Sequence, residues 1–515
     1  PVYLLAHTAQ QLKKAEMRLL LPNGLDIYIN KDEIGAGISH FTLFNQSKQP
    51  LCERLFFQPP TNRLLIEAQP NSAVYSSRTM GSVELSTRNL AGNTLDADFS
   101  LGIYRIDPLQ PTEPMTILSY LWLASDIAGH IESPDYYFTT SDEAITARDN
   151  LMLTQGWRRF KWEDVTLGRQ PSFYYLPESE GHIIDGKLTS KKTGLPASNI
   201  PVFISPVGGK NFGTAFTNPE GYFLTIVKDF YGPGDIVLQT NNRDDNYQFA
   251  IGNPFSTEYS QKKLPTYSLQ PANADDILNA GVESQAQNIF LKDSLQRTYA
   301  PADSDTTYFY GKPDGKYFLD AYTRFNTMEE VMREYVSGVS VRKQGGKFHY
   351  RVNNLTRQQF FSSDPLVLLD GVPVFDVDKI ATHNPLKVKK IEVLNRQYLL
   401  NNLAWPGIVS YTSYNRKLDG FELDPTALLV NYEGLQLARE FYSPIYETSE
   451  QRESRLPDFR NQLVWRTDLQ WDAAGKATVP FYTSDLEGKY AGLVQGITAN
   501  GEAAAKMFFF EVKNK

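Results

Sequence analysis

The sequence predicts a mainly β protein, built from tandem β-sandwich domains with one small α+β domain among them. Short runs of β-branched and aromatic residues alternate with polar residues along most of the chain, and turn-forming residues separate these runs. Hydrophobic residues make up 41% of the chain and charged residues 21%, a balance that favours packed strands over disorder. A length of 515 residues is too great for one core and predicts about three to five domains.

Two β-sandwiches are predicted before residue 179, the first a partial one over residues 1–60 and the second over residues 61–178. The candidate strands of the first are MRLLLP, LDIYIN and ISHFTLFN, and those of the second are LLIEA, SVELST and FSLGIYRI. Apolar residues recur at helical spacing over residues 117–122, which predicts a helical insert. Ser141 is placed to cap a second helix, because its hydroxyl can accept a hydrogen bond from the first turn.

A third sandwich is predicted over residues 179–255. Its candidate strands are IIDGKL, PVFISPV, TAFTNPEGYFLTIV and DIVLQT, with a turn at residues 218–221. The more polar residues 256–306 are predicted to form a connector that contains a helix over residues 275–292.

Residues 307–417 are predicted to form the small α+β domain. A helix over residues 326–336 begins with a capping box, in which Thr327 and Glu330 bond to each other's backbone. Asp370 and Gly371 fit a type I′ turn, so PLVLL and VPVF are predicted to pair as a hairpin. Residues 418–515 are predicted to form a last sandwich, with candidate strands VWRTDLQW, KATVPFY, GLVQGIT and KMFFFEV.

Charge and cysteine content exclude several classes of site. The net charge is −8 without long runs of either sign, so no basic stripe indicates a nucleic-acid partner. Cys52 is the only cysteine, which excludes an internal disulfide, a zinc ribbon and an iron–sulfur cluster. A lone thiol fits the cytosol as well as the periplasm, so cysteine content leaves the compartment open.

No run of residues is apolar enough over the length of a membrane-spanning helix. The best candidate, residues 116–124, is soon followed by Asp126. The chain begins at Pro1 without a Met or a signal-peptide pattern. It is therefore expected to be a processed or truncated part of a longer secreted protein.

Three blocks of sequence resemble known modules. The last block carries Trp465, Asp468 and Trp471 before ATVPFYTSD and QGITANG, and it is similar to the macroglobulin-like β-sandwich of the alpha-2-macroglobulin superfamily. The blocks GISHFTLFNQSKQPLCERLFF and AVYSSRTMGSVELSTRNLAGN are similar to further copies. Residues 181–253 resemble the carboxypeptidase regulatory-like module, a transthyretin-type sandwich, through IIDGKL, PVFI and TNPEGYF.

Residues 326–417 resemble the plug domain of TonB-dependent receptors, through the capped helix, DPLVLLDGVPVFD and VKKIEVLN. The order of the modules resembles that of large envelope proteins of Gram-negative bacteria that lack a barrel. The resemblance implies a location in the cell envelope, either periplasmic or associated with the outer membrane. It transfers an architecture better than it transfers an activity.

Features of the named families are also missing. Too few residues follow Lys417 for the large barrel that normally follows a receptor plug, and no energy-coupling sequence precedes the plug-like block. The thioester of proteinase-trapping macroglobulins is built on a Cys within Gly-Cys-Gly-Glu-Gln. Cys52 stands in Pro-Leu-Cys-Glu-Arg, which excludes thioester chemistry.

The residue patterns predict no catalytic residue, no cofactor and no metal, so we expect the protein not to be an enzyme. The six histidines include no pair at metal-site spacing, and His40 and His349 receive no role because they lie inside strand candidates. No nucleophile elbow, P-loop or dinucleotide fingerprint occurs. The carboxylates of a glycosidase can come from distant strands, so this enzymatic alternative stays open. The segment NNRDDN and the pair Asp376 and Asp378 are predicted to be solvated turns and not calcium ligands.

Aromatic and Arg-rich loops supply the candidate contacts with a partner. The candidates are Trp405, Arg439, Tyr442 and Tyr446. Tyr, Trp and Arg are the residues that most often anchor protein interfaces. The alternative, that these side chains fill a core, stays open.

The segment GWRRFKWEDV is predicted to pack into the protein. Trp157, Phe160 and Trp162 supply large apolar area. Arg158 and Arg159 are expected either to stack on the rings or to pair with acidic side chains.

Two functions follow as hypotheses. The favoured one is a non-enzymatic interaction or scaffold protein that docks on an outer-membrane barrel or lipoprotein through its plug-like and β-sandwich domains. The alternative is a glycan- or peptide-binding component of a TonB-linked nutrient uptake system, which the 29 Tyr and 6 Trp favour. A third hypothesis, proteinase inhibition by bait-loop cleavage, is weakened by the missing thioester motif.

Overall fold

The computed structural model describes residues 1–61, 64–89, 91–94, 97–107, 115–156, 158, 160–170, 176–242, 246–261, 270–299 and 307–513. Strands dominate these residues, which confirms the predicted mainly β fold. They form two compact units, each discontinuous in sequence. Unit 1 draws on residues 1–173, 265–297 and 440–515, and unit 2 on residues 174–264 and 298–439. None of the helices within the described ranges is long and apolar enough to cross a membrane.

Unit 1 begins with a four-stranded antiparallel sheet, the N-terminal sheet. Its strands lie in the order Gln11–Arg18, Val2–Thr8, Gly37–Phe44 and Pro50–Gln58. This confirms ISHFTLFN as a strand, whereas MRLLLP is wrong beyond Arg18. LDIYIN is also wrong as a strand: residues 25–30 keep the alternating burial, but a strand needs a hydrogen-bonded neighbour as well as a pattern.

Helices cover one face of the N-terminal sheet and confirm the predicted helical insert. They are Ile117–Ser119, the π-helical turn Tyr120–Ala124, the 3₁₀ turn Pro134–Phe138, Asp142–Thr154 and Trp162–Thr166. Ile38 and Phe57 of the sheet share one core with Leu123 and Met152 of the helices. Ser141 caps Asp142–Thr154 through its side chain, as predicted.

The rest of unit 1 is dominated by a β-sandwich whose strands come from two distant stretches of sequence, here called the split sandwich. One sheet has the order Gln462–Arg466, Ala97–Arg105, Gly488–Thr498, Ala503–Val512 and Val74–Tyr75, and the other has the order Lys476–Tyr482, Met80–Arg88 and Leu65–Pro70. Val83 lies opposite Val479, and both are buried between the sheets.

The split sandwich differs from the predicted division of the chain. The predicted borders place residues 61–178 and 418–515 in separate sandwiches, whereas backbone pairing joins strands of both stretches in the same two sheets. The physical reason is that alternation identifies the buried face of a strand and does not identify its neighbour.

Unit 2 contains a second sandwich, formed by the strands predicted for residues 179–255 and two more, Tyr247–Ile251 and Leu428–Glu433. The four-stranded sheet has the order Gly213–Phe216, Pro201–Pro206, Pro233–Gln239 and Leu428–Glu433. The three-stranded sheet has the order Tyr222–Val227, His182–Ser190 and Tyr247–Ile251. Ile184, Val202 and Leu238 lie in its core. The strand Leu428–Glu433 comes from the stretch assigned to the last predicted sandwich, so pairing again crosses a predicted border.

The α+β part of unit 2 is built on a five-stranded mixed sheet. Its order is Gly315–Phe318, Val388–Leu394, Ile408–Ser413, Leu366–Leu369 and Val372–Pro373, and the third and fourth strands run parallel. Helices Met328–Glu334 and Val377–Ala381 contribute Met328 and Ile380 to its core. The smaller sheets are Val339–Gln344 with Lys347–Asn354 and Gln359–Phe360, Tyr398–Leu400 with Leu403–Trp405, and Thr298–Tyr299 with Ala438–Arg439.

Two sequence signatures of this α+β part are confirmed. Thr327 and Glu330 form the capping box at the start of the helix. Asp370 and Gly371 have φ angles of 49° and 82°, as a type I′ turn requires, and they join the predicted hairpin. The buried Asp370 carboxylate accepts hydrogen bonds from Ser413 N at 2.7 Å and Ser413 Oγ at 2.6 Å, which fixes the turn.

The remaining helices are short, with one exception. The 22-residue helix Ala274–Leu295 confirms the helix predicted in the connector. The others are the α-helices Lys31–Ile34 and Ser449–Arg452, and the 3₁₀ turns Pro271–Asn273, Leu319–Ala321, Pro385–Lys387 and Leu418–Gly420.

An ion pair with a buried guanidinium connects the two stretches of the split sandwich. Arg78 is 8% exposed and donates from Nε and Nη2 to the two carboxylate oxygens of Asp485, both at 2.7 Å. It also donates to the carbonyl oxygens of Ser454 at 2.6 Å and Leu456 at 2.7 Å. Bidentate pairs of this kind are among the strongest charge-assisted contacts in proteins. Arg78 therefore anchors the C-terminal stretch to the N-terminal one.

Arg78→Ala should destabilise the split sandwich by about 3–5 kcal/mol, because it removes the guanidinium that pairs with a partly buried carboxylate and with three backbone carbonyl groups. Arg88→Ala is the matched control: Arg88 pairs with Glu67 at 3.2 Å on the surface, and its loss should cost at most about 1 kcal/mol. Urea denaturation, monitored by hydrogen–deuterium exchange at Lys476–Tyr482, measures the loss of stability in both variants. Equal losses in the two variants would contradict the anchoring role.

Candidate functional site

The structure separates the four predicted partner residues into two pairs. Trp405 and Arg439 belong to unit 2, and Tyr442 and Tyr446 to unit 1. Trp405 is half-buried, with its ring centroid 6.4 Å from that of Phe375. Arg439 is exposed in a two-residue strand. Trp405 therefore packs within unit 2, in line with the alternative that these side chains fill a core. A partner role for Arg439 stays a prediction.

Tyr446 and Tyr442 pack around a buried ion pair in unit 1. Tyr446 is 8% exposed and its hydroxyl donates to Asp458 Oδ2 at 2.8 Å, so burial and this carboxylate raise the pKa of Tyr446 well above its ordinary value. Arg460 donates to the same carboxylate at 2.7 and 2.8 Å. Tyr442 is half-buried, with Arg460 Cζ 6.0 Å from its ring centroid. Tyr446 is thus a core residue and not part of the exposed surface.

A pair of stacked histidines lies in the N-terminal sheet. The strands Val2–Thr8 and Gly37–Phe44 pair in a register that places His7 directly opposite His40. The imidazole centroids are 4.6 Å apart, and the rings lie within 8° of parallel. The two residues are only 7% and 6% exposed. Sheet register therefore brings together two titratable groups inside an interface.

Aromatic side chains from the segment that follows the helix Asp142–Thr154 cover this pair. The ring centroids of Phe160 and Trp162 lie 5.6 and 5.9 Å from that of His7. The two rings also meet each other edge to face, with centroids 5.0 Å apart, which confirms the predicted packing of this segment. Trp157 and Arg159 of the same segment lie outside the described residues.

One carboxylate and one guanidinium complete the cluster. Glu53 Oε1 lies 3.5 Å from His40 Nδ1 and 3.4 Å from Arg158 Nε, which confirms the predicted pairing of Arg158 with an acid. Thr42 Oγ1 donates to Glu53 Oε2 at 2.8 Å. Burial opposes ionisation of Glu53, but the contacts with His40 and Thr42 and the charge of Arg158 outweigh it and lower the pKa of Glu53 to about 2. The carboxylate is therefore ionised at neutral pH.

His7 is neutral at the same pH, and its Nε2 has no hydrogen-bond partner among the described residues. Burial disfavours its charged form and the neighbouring His40 adds to this, which together lower the pKa of His7 to about 4. His40 Nδ1 faces Glu53 Oε1 at 3.5 Å. In the described part of this cluster, His7 Nε2 and Trp162 Nε1 are buried without a hydrogen-bond partner. Each such atom costs about 1–3 kcal/mol. A cavity of about 20 Å³ beside both histidines has room for one water molecule.

A larger cleft opens next to the cluster. Its volume is about 1010 Å³, and its lining includes Glu53, Arg158, Phe160 and Lys161 together with residues 47–50. Charged and aromatic groups in a concave site can hold a polar ligand that has an apolar part. The region thus combines a buried titratable pair with an accessible cleft.

The predicted aspartate turns have structural roles. Asp376 caps the helix Val377–Ala381 by accepting a hydrogen bond from Asp378 N at 3.1 Å, and Asp378 accepts one from Phe348 N at 2.6 Å. Residues 243–245 of the segment NNRDDN lie outside the described residues. In the ranges that the structure describes, no three His, Cys, Asp or Glu side chains form a group that could hold a metal ion.

Sequence analysis missed the histidine pair. His7 and His40 are far apart in the chain, and no local motif connects them. The signal that could reveal them is register, because each stands in a strand and becomes a neighbour of the other only through the pairing of those two strands.

Comparisons with known proteins were made on the whole chain. No protein-family profile matches it, and no curated protein matches it. A solved structure of a 1.5-MDa bacterial ice-binding adhesin is similar at 11% identity over 49% of this chain and 84% of that chain, with a TM-score of 0.10. The native alpha-2-macroglobulin of Escherichia coli is similar at 9% identity over 100% of this chain and 38% of that chain, with a TM-score of 0.12.

The alpha-2-macroglobulin of Salmonella reacted with methylamine gives a matching result, at 10% identity over 100% of this chain and 37% of that chain, with a TM-score of 0.12. The chain thus spans less than two-fifths of the length of these two macroglobulins. TM-scores this low carry no argument about fold or function.

Tyr446→Phe should destabilise unit 1 by about 1–2 kcal/mol, because it removes a buried hydrogen bond to the carboxylate of Asp458. Tyr442→Phe is the matched control and should change the free energy of unfolding by no more than about 0.5 kcal/mol, since no hydrogen bond of its hydroxyl is found among the described residues. Urea denaturation, monitored by hydrogen–deuterium exchange at Gln462–Arg466, compares the free energy of unfolding of the two variants. A loss in Tyr442→Phe as large as that in Tyr446→Phe would contradict the assignment.

Proposed function

We propose that the protein is a non-enzymatic interaction or scaffold protein of the Gram-negative cell envelope, periplasmic or associated with the outer membrane. It docks on an outer-membrane barrel or lipoprotein through its β-sandwich and plug-like domains. The resemblance of its blocks to macroglobulin-like, carboxypeptidase regulatory-like and plug modules supports this proposal. The mainly β fold, with an α+β part in unit 2, supports it as well.

An exposed apolar surface on the N-terminal sheet is the observation that carries the proposal. Five large apolar side chains of the edge strand and the loop after it are between 59% and 68% exposed: Leu12, Met17, Leu19, Leu20 and Leu21. Contiguous apolar patches are uncommon on soluble monomers and mark contacts with partners. The edge strand Gln11–Arg18 also presents an open row of backbone groups, to which a partner can add a strand.

An apolar groove adjoins this surface. Its volume is about 390 Å³, and Met17 lines it together with Tyr3, Leu5, Phe44 and Trp162. A groove of this kind can receive an apolar anchor from a partner, and anchors in pockets supply most of the binding energy of an interface. Met17 belongs both to the exposed apolar set and to the lining of the groove, so we propose that the two act as one docking region.

Replacing Leu19, Leu20 and Leu21 by Ser should reduce the amount of co-purified barrel or lipoprotein at least about tenfold, because the apolar contact area is lost. Affinity purification after mild detergent extraction, followed by mass spectrometry, measures this. The matched control replaces three other exposed apolar residues by Ser. They are Leu278, Val282 and Ile289 on the helix Ala274–Leu295, which are 65%, 58% and 74% exposed. Recovery of the wild-type chain always alone, or equal losses in both triple variants, would reject the proposal.

The cleft beside the histidine pair favours a second candidate function, the binding of a glycan or peptide in a TonB-linked uptake system. Arg158, Lys161 and Glu53 supply charge in the cleft, and Phe160 supplies a ring on which a sugar or side chain can stack. These groups suit a ligand with both polar and apolar parts.

A ligand of the cleft, at about 100 times its dissociation constant, should stabilise the protein by about 2.7 kcal/mol. A thermal-shift screen with oligosaccharides and peptides measures this, and Lys161→Ala should weaken the shift. Lys13→Ala, which removes an exposed lysine of the edge strand Gln11–Arg18, is the control. The absence of a shift with every compound would reject this second function.

A further inference from the structure

The histidine pair lies at an interface inside unit 1. One side of the interface is the N-terminal sheet, and the other is formed by residues 158 and 160–170, which include the short helix Trp162–Thr166. The ring centroid of Trp162 lies 5.0 Å from that of Phe44 and 5.9 Å from that of His7. The pair of Arg158 with Glu53 adds an electrostatic link across the same interface. His7 is therefore in contact with the segment that covers it.

Four ionisable groups face His7 from the elements packed around it. His40 stacks on it from the neighbouring strand, and Glu53 stands on the strand beyond. Arg158 approaches from the covering segment, and Asp126 lines the small cavity with both histidines. Glu53 is already shared between Arg158, Thr42 and His40. A proton added to the stack therefore creates positive charge that lies beside Arg158 and is poorly hydrated.

We propose that this cluster is an acid-sensitive latch: protonation of His7 within the His7–His40 stack releases residues 158 and 160–170 from the N-terminal sheet, while the sheet and the helix Asp142–Thr154 stay folded. Release gives the imidazole of His7 access to water, which stabilises its charged form. It also uncovers the apolar side chain of Phe44, on which Trp162 packs. The inference rests on this geometry and is independent of the proposed partner.

The direction of the effect follows from proton linkage. In the closed state the pKa of His7 is about 4, whereas a hydrated histidine has the ordinary value of about 6.5. The released state therefore binds the proton more tightly, so the closed state keeps its full advantage above pH 6.5 and loses it as the pH falls towards 4. One proton should raise the ratio of released to closed molecules about 20-fold between pH 7 and pH 5. Glu53 stays ionised over this range.

Hydrogen–deuterium exchange of the full chain at pH 7 and pH 5, corrected for the intrinsic effect of pH, tests the latch. Protection of residues 160–170 should fall about 20-fold, while protection of Gly37–Phe44 and Asp142–Thr154 stays the same. His7→Gln should abolish this pH response, and His40→Gln should weaken it. His182→Gln is the matched control, because His182 is 4% exposed in unit 2 with its Nδ1 2.8 Å from Glu178, and it should leave the response intact.

Three results would overturn the latch. The first is unchanged protection of residues 160–170 in the wild type between pH 7 and pH 5, which decides the matter even where a variant fails to fold. The second is loss of protection throughout the N-terminal sheet at pH 5, since the whole sheet then unfolds and no single segment is released. The third is an equal pH response in His7→Gln.

Discussion

Backbone pairing between distant stretches of sequence is the constraint on which unit 1 depends. The strand Met80–Arg88 takes one neighbour, Leu65–Pro70, from nearby sequence and the other, Lys476–Tyr482, from the C-terminal stretch. Arg78 and Asp485 form their bidentate contact at the same junction. Without this pairing each stretch would expose strand edges and one apolar face. Both stretches are therefore needed to complete the two sheets of the split sandwich.

Features that depend on neighbouring residues could be predicted from the sequence. The capping box of Thr327 and Glu330, the turn at Asp370 and the cap at Ser141 each involve residues within four positions of one another, so the local pattern contains the needed information. The long connector helix Ala274–Leu295 could be predicted for the same reason, because apolar periodicity is a property of a single segment. These local rules fix the type of an element and say nothing about its partners.

Strand partners and buried polar contacts could not be predicted in this way. The strand Leu428–Glu433 joins the second sandwich through register, which no spacing in the sequence encodes. Tyr446 looks like an interface residue by type, yet Asp458 and the core of unit 1 hold it. His7 and His40 are the clearest case, since their contact follows from register alone and creates a polar centre in an apolar interface. Unpaired buried nitrogen atoms make that interface less stable than an apolar one of the same size.

The division of the split sandwich has a consequence for its biosynthesis. Arg78 and Asp485 are 407 positions apart, so a ribosome adding about 5–20 residues per second exposes the first half of the sandwich about 20–80 s before the second half exists. Throughout that interval the early strands have an open edge and an uncovered apolar face, while every strand of unit 2 is translated within it. The nascent chain therefore carries an incomplete, aggregation-prone sheet. The yield of folded protein in a cell should depend on a holding chaperone more strongly than the length of the chain alone would suggest.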